Sequence, residues 1–159
     1  MVLNRDFKDL LYAFSDEEVE FLIVGAYAVM HYSEPRYTKG LDVWIRPTPA
    51  NAKRVMRALA RFGAPLGDIG ESDFADPDLV YQIGVAPVRI DILTAVAGLE
   101  FGEAYSRRVE ADYAGAPLPI LSKPDLIAAK RASARPQDLL DIERMTTKEE
   151  EKDQQDGRR

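Results

Sequence analysis

Four consecutive apolar residues, Phe21-Leu22-Ile23-Val24, stopped by Gly25, restrict the fold of this chain more than any other stretch. The run is too short for a helix of its own and carries no polar residue to face water. It therefore reads, from Glu20 to Val24, as a strand buried in a sheet. Gly25 ends it, and Ala26 to Tyr32 has a helical packing face in Ala26, Val29 and Met30. A strand, then a glycine, then a helix is an arrangement in which a ligand can approach the backbone closely. The helix N-terminus offers free N–H groups to an anion. His31 falls at the end of this helix and is assigned no chemistry.

The rest of the chain alternates in the same way. Leu3, Phe7, Leu10, Leu11 and Phe14 recur at helical spacing, giving a first helix over 4–15. After a polar loop, 33–39, a second strand covers 41–46. Thr48 and Pro49 then start a helix whose apolar stripe is Val55, Met56, Leu59 and Phe62. A Gly-, Pro- and Asp-rich loop follows, with one helical turn near 72–75. Two strands, 80–85 and 88–93, form a hairpin around Ala86-Pro87. A short helix over 101–107 and strands over 109–113 and 117–121 come next. Ser122-Lys123-Pro124-Asp125 has the form of a capping box before a helix over 124–134. Arg135-Pro136 interrupts it, and a last helix runs from 136 to about 147. The expected domain is 1–147, and 148–159, with no apolar residue, reads as a frayed or disordered tail. This order predicts an α+β domain, a mixed sheet flanked by helices with C-terminal helices, and not a doubly wound parallel sheet.

Composition narrows the chemistry. The 159 residues, 46% of them hydrophobic, suffice for a domain with a real core. The net charge of −6 argues against general DNA binding through phosphate contacts. With no cysteine and a single histidine, thiolate and multi-histidine metal sites are excluded within one chain, so a bound metal would take mainly oxygen ligands, which favours Mg2+ or Mn2+. The first residues do not form a signal peptide and no apolar run reaches membrane-spanning length, so a cytoplasmic protein without a membrane partner is expected.

Two acids stand out. Asp42 lies near the loop–strand junction in Arg36-Tyr37-Thr38-Lys39-Gly40-Leu41-Asp42-Val43-Trp44-Ile45, and Asp91 lies mid-strand in Arg89-Ile90-Asp91-Ile92-Leu93. The period of a strand puts Gly40, Asp42 and Trp44 on one face, and Arg89 with Asp91 on one face. A buried aspartate needs a partner. For Asp91 this is either a cation, such as Arg89 or Arg36, or a metal. Taken singly, either acid reads first as a strand-end salt bridge or turn residue. Arg36, Thr38 and Lys39 suit phosphate oxygens or a solvated loop. Lys130, with Lys123, Arg131 and Arg135, suits phosphates or surface ion pairs with Asp138 and Asp141. Trp44 is a core residue or a base-stacking one.

These segments, in this order, resemble the nucleotidyltransferase superfamily typified by DNA polymerase β. The likeness is greatest to its small stand-alone bacterial and archaeal members, the minimal nucleotidyltransferase antitoxins and the abortive-infection toxin relatives. It extends through Lys123-Pro124-Asp125-Leu126-Ile127-Ala128-Ala129-Lys130 and Arg135-Pro136-Gln137-Asp138-Leu139-Leu140-Asp141, and covers roughly residues 3–145. The resemblance implies a nucleotidyltransferase-type mixed sheet and a magnesium-dependent transfer of a nucleoside monophosphate from a nucleoside triphosphate to a hydroxyl acceptor on a protein, RNA or small molecule. It assigns Asp42 and Asp91 as catalytic metal ligands. It assigns Gly25, Ala26, Arg36, Thr38 and Lys130 to the nucleotide phosphates. In the family, two ions held by three carboxylates clamp the attacking and leaving oxygens. Here the first acid of the Asp-x-Asp pair is Gly40, with Glu34 the nearby acid that could stand in. Losing one carboxylate of three implies a loss of several kcal/mol, hundreds-fold or more in rate at about 1.4 kcal/mol per tenfold. The alternative is a catalytically inactive module acting through nucleotide or partner-protein binding, of toxin–antitoxin type. In either reading the resemblance implies a partner protein or a homo-oligomer, which in a small domain of this kind often completes the acceptor site of an active enzyme.

Overall fold

The computed structural model describes residues 4–156, with side chains as far as Thr146. Its elements are α1 (Arg5–Asp16), β1 (Phe21–Val24), α2 (Gly25–Tyr32), β2 (Gly40–Ile45), α3 (Pro49–Phe62), α4 (Glu71–Phe74), β3 (Val80–Ile83), β4 (Arg89–Leu93), α5 (Phe101–Ser106), β5 (Val109–Tyr113), β6 (Ala116–Ile120), α6 (Lys123–Ser133) and α7 (Pro136–Asp156). The strands form one sheet in the order β3-β4-β2-β1-β6-β5. Three neighbouring pairs are antiparallel, β1 with β2, β3 with β4 and β5 with β6, while β2 pairs β4 and β1 pairs β6 in parallel. The α+β mixed sheet expected from the sequence is the fold observed.

Burial explains the order. All four residues of β1 are buried, because β1 lies inside the sheet and both its faces are covered. Phe21 and Ile23 share a face with Val43 and Ile45 of β2, and Phe14 of α1 meets Phe21 edge-on at 5.2 Å. α1 in turn packs on α3 and β6. The opposite face carries Leu22 and Val24 beside Trp44 and Asp42. At one end of this face Trp44 is 1% exposed and packs edge-on to Phe101 of α5 at 5.0 Å, so it is a core residue and not a base-stacking platform. The other end of the same face is polar.

The helix ends follow their sequence signals. Thr48 accepts a hydrogen bond from the Asn51 N–H, Pro49 takes the first turn, and Gly63 closes α3 in the left-handed region. Such a cap contributes about 1 kcal/mol. Ser122 caps α6 by accepting from the Asp125 N–H, but the reciprocal half of the expected capping box is absent. Asp125 turns instead to Arg107, which donates to both its oxygens at 3.0 and 3.1 Å. His31 lies in the last turn of α2, edge-on to Tyr32. The largest difference from the sequence reading is α7, whose backbone stays helical to Asp156, past the expected end near 147. The added stretch is built from Lys, Glu, Gln and Asp, most of them good helix formers, so it needs no apolar stripe to continue the turn. Of the expected tail, 148–159, the last three residues, 157–159, lie outside the described residues. Among the described residues, no helix is long and apolar enough to cross a membrane.

Candidate functional site

The polar end of the sheet opens into a cleft of about 560 Å³ between the start of α2, the loop before β2, the starts of β2 and β4, and the α6–α7 corner. Its floor is set by strand register. β2 and β4 run parallel with Asp42 opposite Asp91, so the two carboxylates stand side by side on one face. Asp42 also lies against the β1–α2 turn. A Cβ placed on Gly25 would come within 2.0 Å of Asp42 Oδ2, and Gly25 has φ +68°. Glycine is required there twice over, by the backbone conformation and by the close approach of the carboxylate.

The two acids have different surroundings. Arg89 donates to both oxygens of Asp91, Nε to Oδ1 at 2.9 Å and Nη2 to Oδ2 at 3.0 Å. The alternative of a cation partner for Asp91 is therefore the one observed, and Arg89 is that cation. Asp42, by contrast, receives no hydrogen bond or ion pair from any described residue. Burial pushes its pKa up to about 6, and the neighbouring Asp91 charge adds to the rise, while Arg89, Lys130 and Arg135 pull it down.

The cationic wall is an ion-pair network. Asp141, fully buried, accepts from Arg36 Nη2 at 3.2 Å and pairs with Lys130 Nζ at 3.1 Å. Asp138, 1% exposed, pairs with Lys130 at 3.2 Å and with Arg135 Nε at 2.8 Å. Burial works to raise the pKa of Asp138, but hydrogen bonds from Arg135 and Lys130 outweigh it and hold the group below its ordinary value. The lysine and arginines that read equally as phosphate ligands or surface pairs are thus paired, but inside the molecule. They line the cleft while held there. Arg36 Nη1 also donates to the Tyr37 carbonyl, and its Nε is buried without a partner among the described residues.

Of the residues expected at the site, Gly25, Ala26, Arg36, Thr38, Asp42, Asp91 and Lys130 all line the cleft. Thr38 lines it in a different role from the expected one. Its hydroxyl accepts from the Gly40 N–H at 3.1 Å and donates to the Gly40 carbonyl at 2.8 Å, closing the loop before β2. Glu34 is exposed and does not line the cleft, so it does not replace the missing acid. Arg135, offered in the sequence beside Lys130 for phosphates or ion pairs, lines the cleft, and so do Gln137, Asp138 and Asp141, which sequence reasoning did not place there. Their signal was the spacing of Asp138 and Asp141, three apart on one face of a helix, behind Lys130.

Gly40 is more than an absent carboxylate. Its φ is +158°, and a Cβ built on it would fall 1.6 Å from the Arg89 carbonyl oxygen. The start of β4 therefore occupies the space a side chain at position 40 would need. Among the described residues, no three acidic or imidazole side chains come together as a metal site. With position 40 closed and both Asp91 oxygens held by Arg89, the donor set does not fit a two-ion centre.

At the level of sequence, no family model and no curated protein matches this chain. Its fold is similar to that of solved structures. One is a Thermotoga maritima protein provisionally described as a nucleotidyltransferase, with TM-score 0.58 and 12% identity over 91% of this chain and 92% of that one. Another is an antigenic nucleotidyltransferase-like protein of Paracoccidioides brasiliensis, with TM-score 0.51 and 16% identity over 90% of this chain and 77% of that one. The chain has a nucleotidyltransferase-like fold.

Proposed function

We propose that the cleft binds a nucleoside triphosphate, with the polyphosphate lying between the first turn of α2 and the Arg36, Lys130 and Arg135 group. The observation that carries this reading is the convergence of those cations with a helix N-terminus that no side chain caps. The cleft is lined by five cationic side chains and four carboxylates, in a chain whose net charge is −6. The local excess of cations draws an anion to this end of the sheet. Val24, at the N-cap of α2, has no oxygen to satisfy the first-turn N–H groups, which leaves them for phosphate oxygens. Asp138 and Asp141 hold Lys130, Arg36 and Arg135 in place before the ligand arrives, so little side-chain entropy is lost on binding. Each charge-assisted hydrogen bond to phosphate is worth about 1.5–3 kcal/mol.

Calorimetric titration with ATP, GTP, CTP and UTP tests this directly. At least one triphosphate should bind more tightly than its nucleoside, and Arg135→Gln should weaken that binding about tenfold, as the loss of one charged contact implies. Equal affinity for nucleoside and triphosphate would remove the phosphate from the account.

A second reading is favoured by one further observation, the in-register pairing of Asp42 with Asp91. In that reading the triphosphate also donates its nucleotidyl group to a hydroxyl acceptor, and the unpartnered Asp42 faces the reacting phosphate. No step through two metal ions follows from the residues present. Pyrophosphate release on incubation with ATP and a broad acceptor mixture, lost in Asp42→Asn, would favour transfer. Binding without release would favour a nucleotide-binding module.

A further inference from the structure

We propose that Arg89 is a built-in counter-cation of the Asp42–Asp91 pair, standing where a divalent ion would otherwise be needed, so that the cleft takes its polyphosphate ligand with little dependence on divalent metal. The polyphosphate part of this statement rests on the binding reading above. The counter-cation part does not.

Arg89 and Asp91 are two apart on β4 and so share a face, and the parallel pairing with β2 puts Asp42 on that same face. Two carboxylates at neighbouring positions, Asp91 9% exposed and Asp42 half-buried, repel each other and need a cation. A guanidinium two residues away supplies one with fixed geometry. Its fork matches both Asp91 oxygens, at 2.9 and 3.0 Å, which leaves that carboxylate no oxygen free of a donor. An entering divalent ion would have to displace this bidentate contact.

The backbone of the same residue closes the other side. Gly40 sits opposite Arg89 in the strand register, and the Arg89 N–H donates to the Lys39 carbonyl at 3.2 Å. That pairing brings the Arg89 carbonyl within 1.6 Å of where a Cβ on residue 40 would be. One residue thus neutralises Asp91 with its side chain and excludes a carboxylate from position 40 with its main chain. The glycine at 40 and the arginine at 89 are two parts of one arrangement. A further acid at 40 would have no room.

The experiment titrates the full chain with Mn2+ alone, reading free Mn2+ by electron paramagnetic resonance, in wild type, Arg89→Gln and Arg135→Gln. Wild type should bind Mn2+ weakly, in the millimolar range or above. Arg89→Gln should gain about tenfold or more in affinity, because it frees both Asp91 oxygens. Arg135→Gln, which removes an equal charge from the same cleft but no contact to Asp91, should gain about threefold or less. Adding Asp91→Asn to Arg89→Gln should abolish the gain. Micromolar Mn2+ binding by wild type would overturn the proposal whether or not the Arg89 variant folds, and so would equal gains in the two arginine variants. A separate arm measures ATP affinity of wild type in EDTA and in Mg2+. Affinities within about threefold support metal-independent binding, and a loss beyond about tenfold in EDTA overturns it. Absence of ATP binding in both buffers refutes the polyphosphate reading itself, and the Mn2+ arm still decides the role of Arg89.

Discussion

Replacing Asp42 with asparagine should stabilise the protein at neutral and alkaline pH. Asp42 is largely buried beside Asp91, receives no hydrogen bond from any described residue, and has a pKa raised from 3.8 to about 6. A carboxyl group that binds its proton more tightly in the folded state than in the unfolded chain favours folding only while protonated. Between about pH 4 and pH 6 the folded protein holds more protons at this position, so the contribution of Asp42 to stability falls as pH rises through that window and stays low above it. A shift of about two pKa units corresponds to about 3 kcal/mol at pH 8. Asn has nearly the same shape and no charge, so Asp42→Asn should raise the unfolding free energy by up to about 3 kcal/mol at pH 8 and by close to zero at pH 4. Urea titrations followed by far-ultraviolet circular dichroism at both pH values, with equal m-values, measure the difference. A destabilisation at pH 8, or the same change at both pH values, would refute the reasoning. A residue held at such a cost to the fold is what a site retained for ligand chemistry leads one to expect.

Gly40→Ala, which adds only a methyl group, should destabilise the fold by about 3 kcal/mol or more, because the new Cβ meets a backbone carbonyl and not a movable side chain. An unchanged melting temperature would show that β4 yields easily there. Gly40→Asp should behave no better, and should not create a metal site. Asp141→Asn should be strongly destabilising, by about 3–5 kcal/mol, since it removes the buried charge that Arg36 and Lys130 share. High salt should relieve little of that loss, because the network is shielded from solvent, and a loss that vanished in molar salt would place these pairs effectively at the surface.

What the sequence could show depended on whether the cause was local. β1 was readable because four apolar residues before a glycine admit few alternatives. The shared face of Gly40, Asp42 and Trp44 was readable because a strand's period fixes it. That Trp44 lies under Phe101 was not, since the two are far apart in the chain and only the packed structure brings α5 over β2. The pairing of Asp42 with Asp91 depends on a parallel register between strands separated by α3, α4 and β3, and residue spacing does not carry that register. The resemblance supplied it. Thr38 looked like a phosphate donor because its hydroxyl sits in a basic loop, but the nearest unsatisfied groups were the N–H and carbonyl of Gly40, and it bonds to both. Gly40 itself looked like a deletion of chemistry. Its structural meaning lies in the backbone of Arg89, 49 positions further along the chain, which no local pattern points to. Asp138 and Asp141 showed their helical spacing in the sequence, but not that one buried lysine pairs with both of them.

The most direct measurement of the central claim is a proton–nitrogen correlation spectrum of the full chain titrated with ATP and, separately, with adenosine. If the polyphosphate lies on the first turn of α2, the Gly25 and Ala26 amides and the Arg36 and Arg135 side-chain Nε–H signals should shift most with ATP and hardly at all with adenosine. Shifts of equal size with both ligands, or ATP-induced shifts confined to residues away from the cleft, would contradict it.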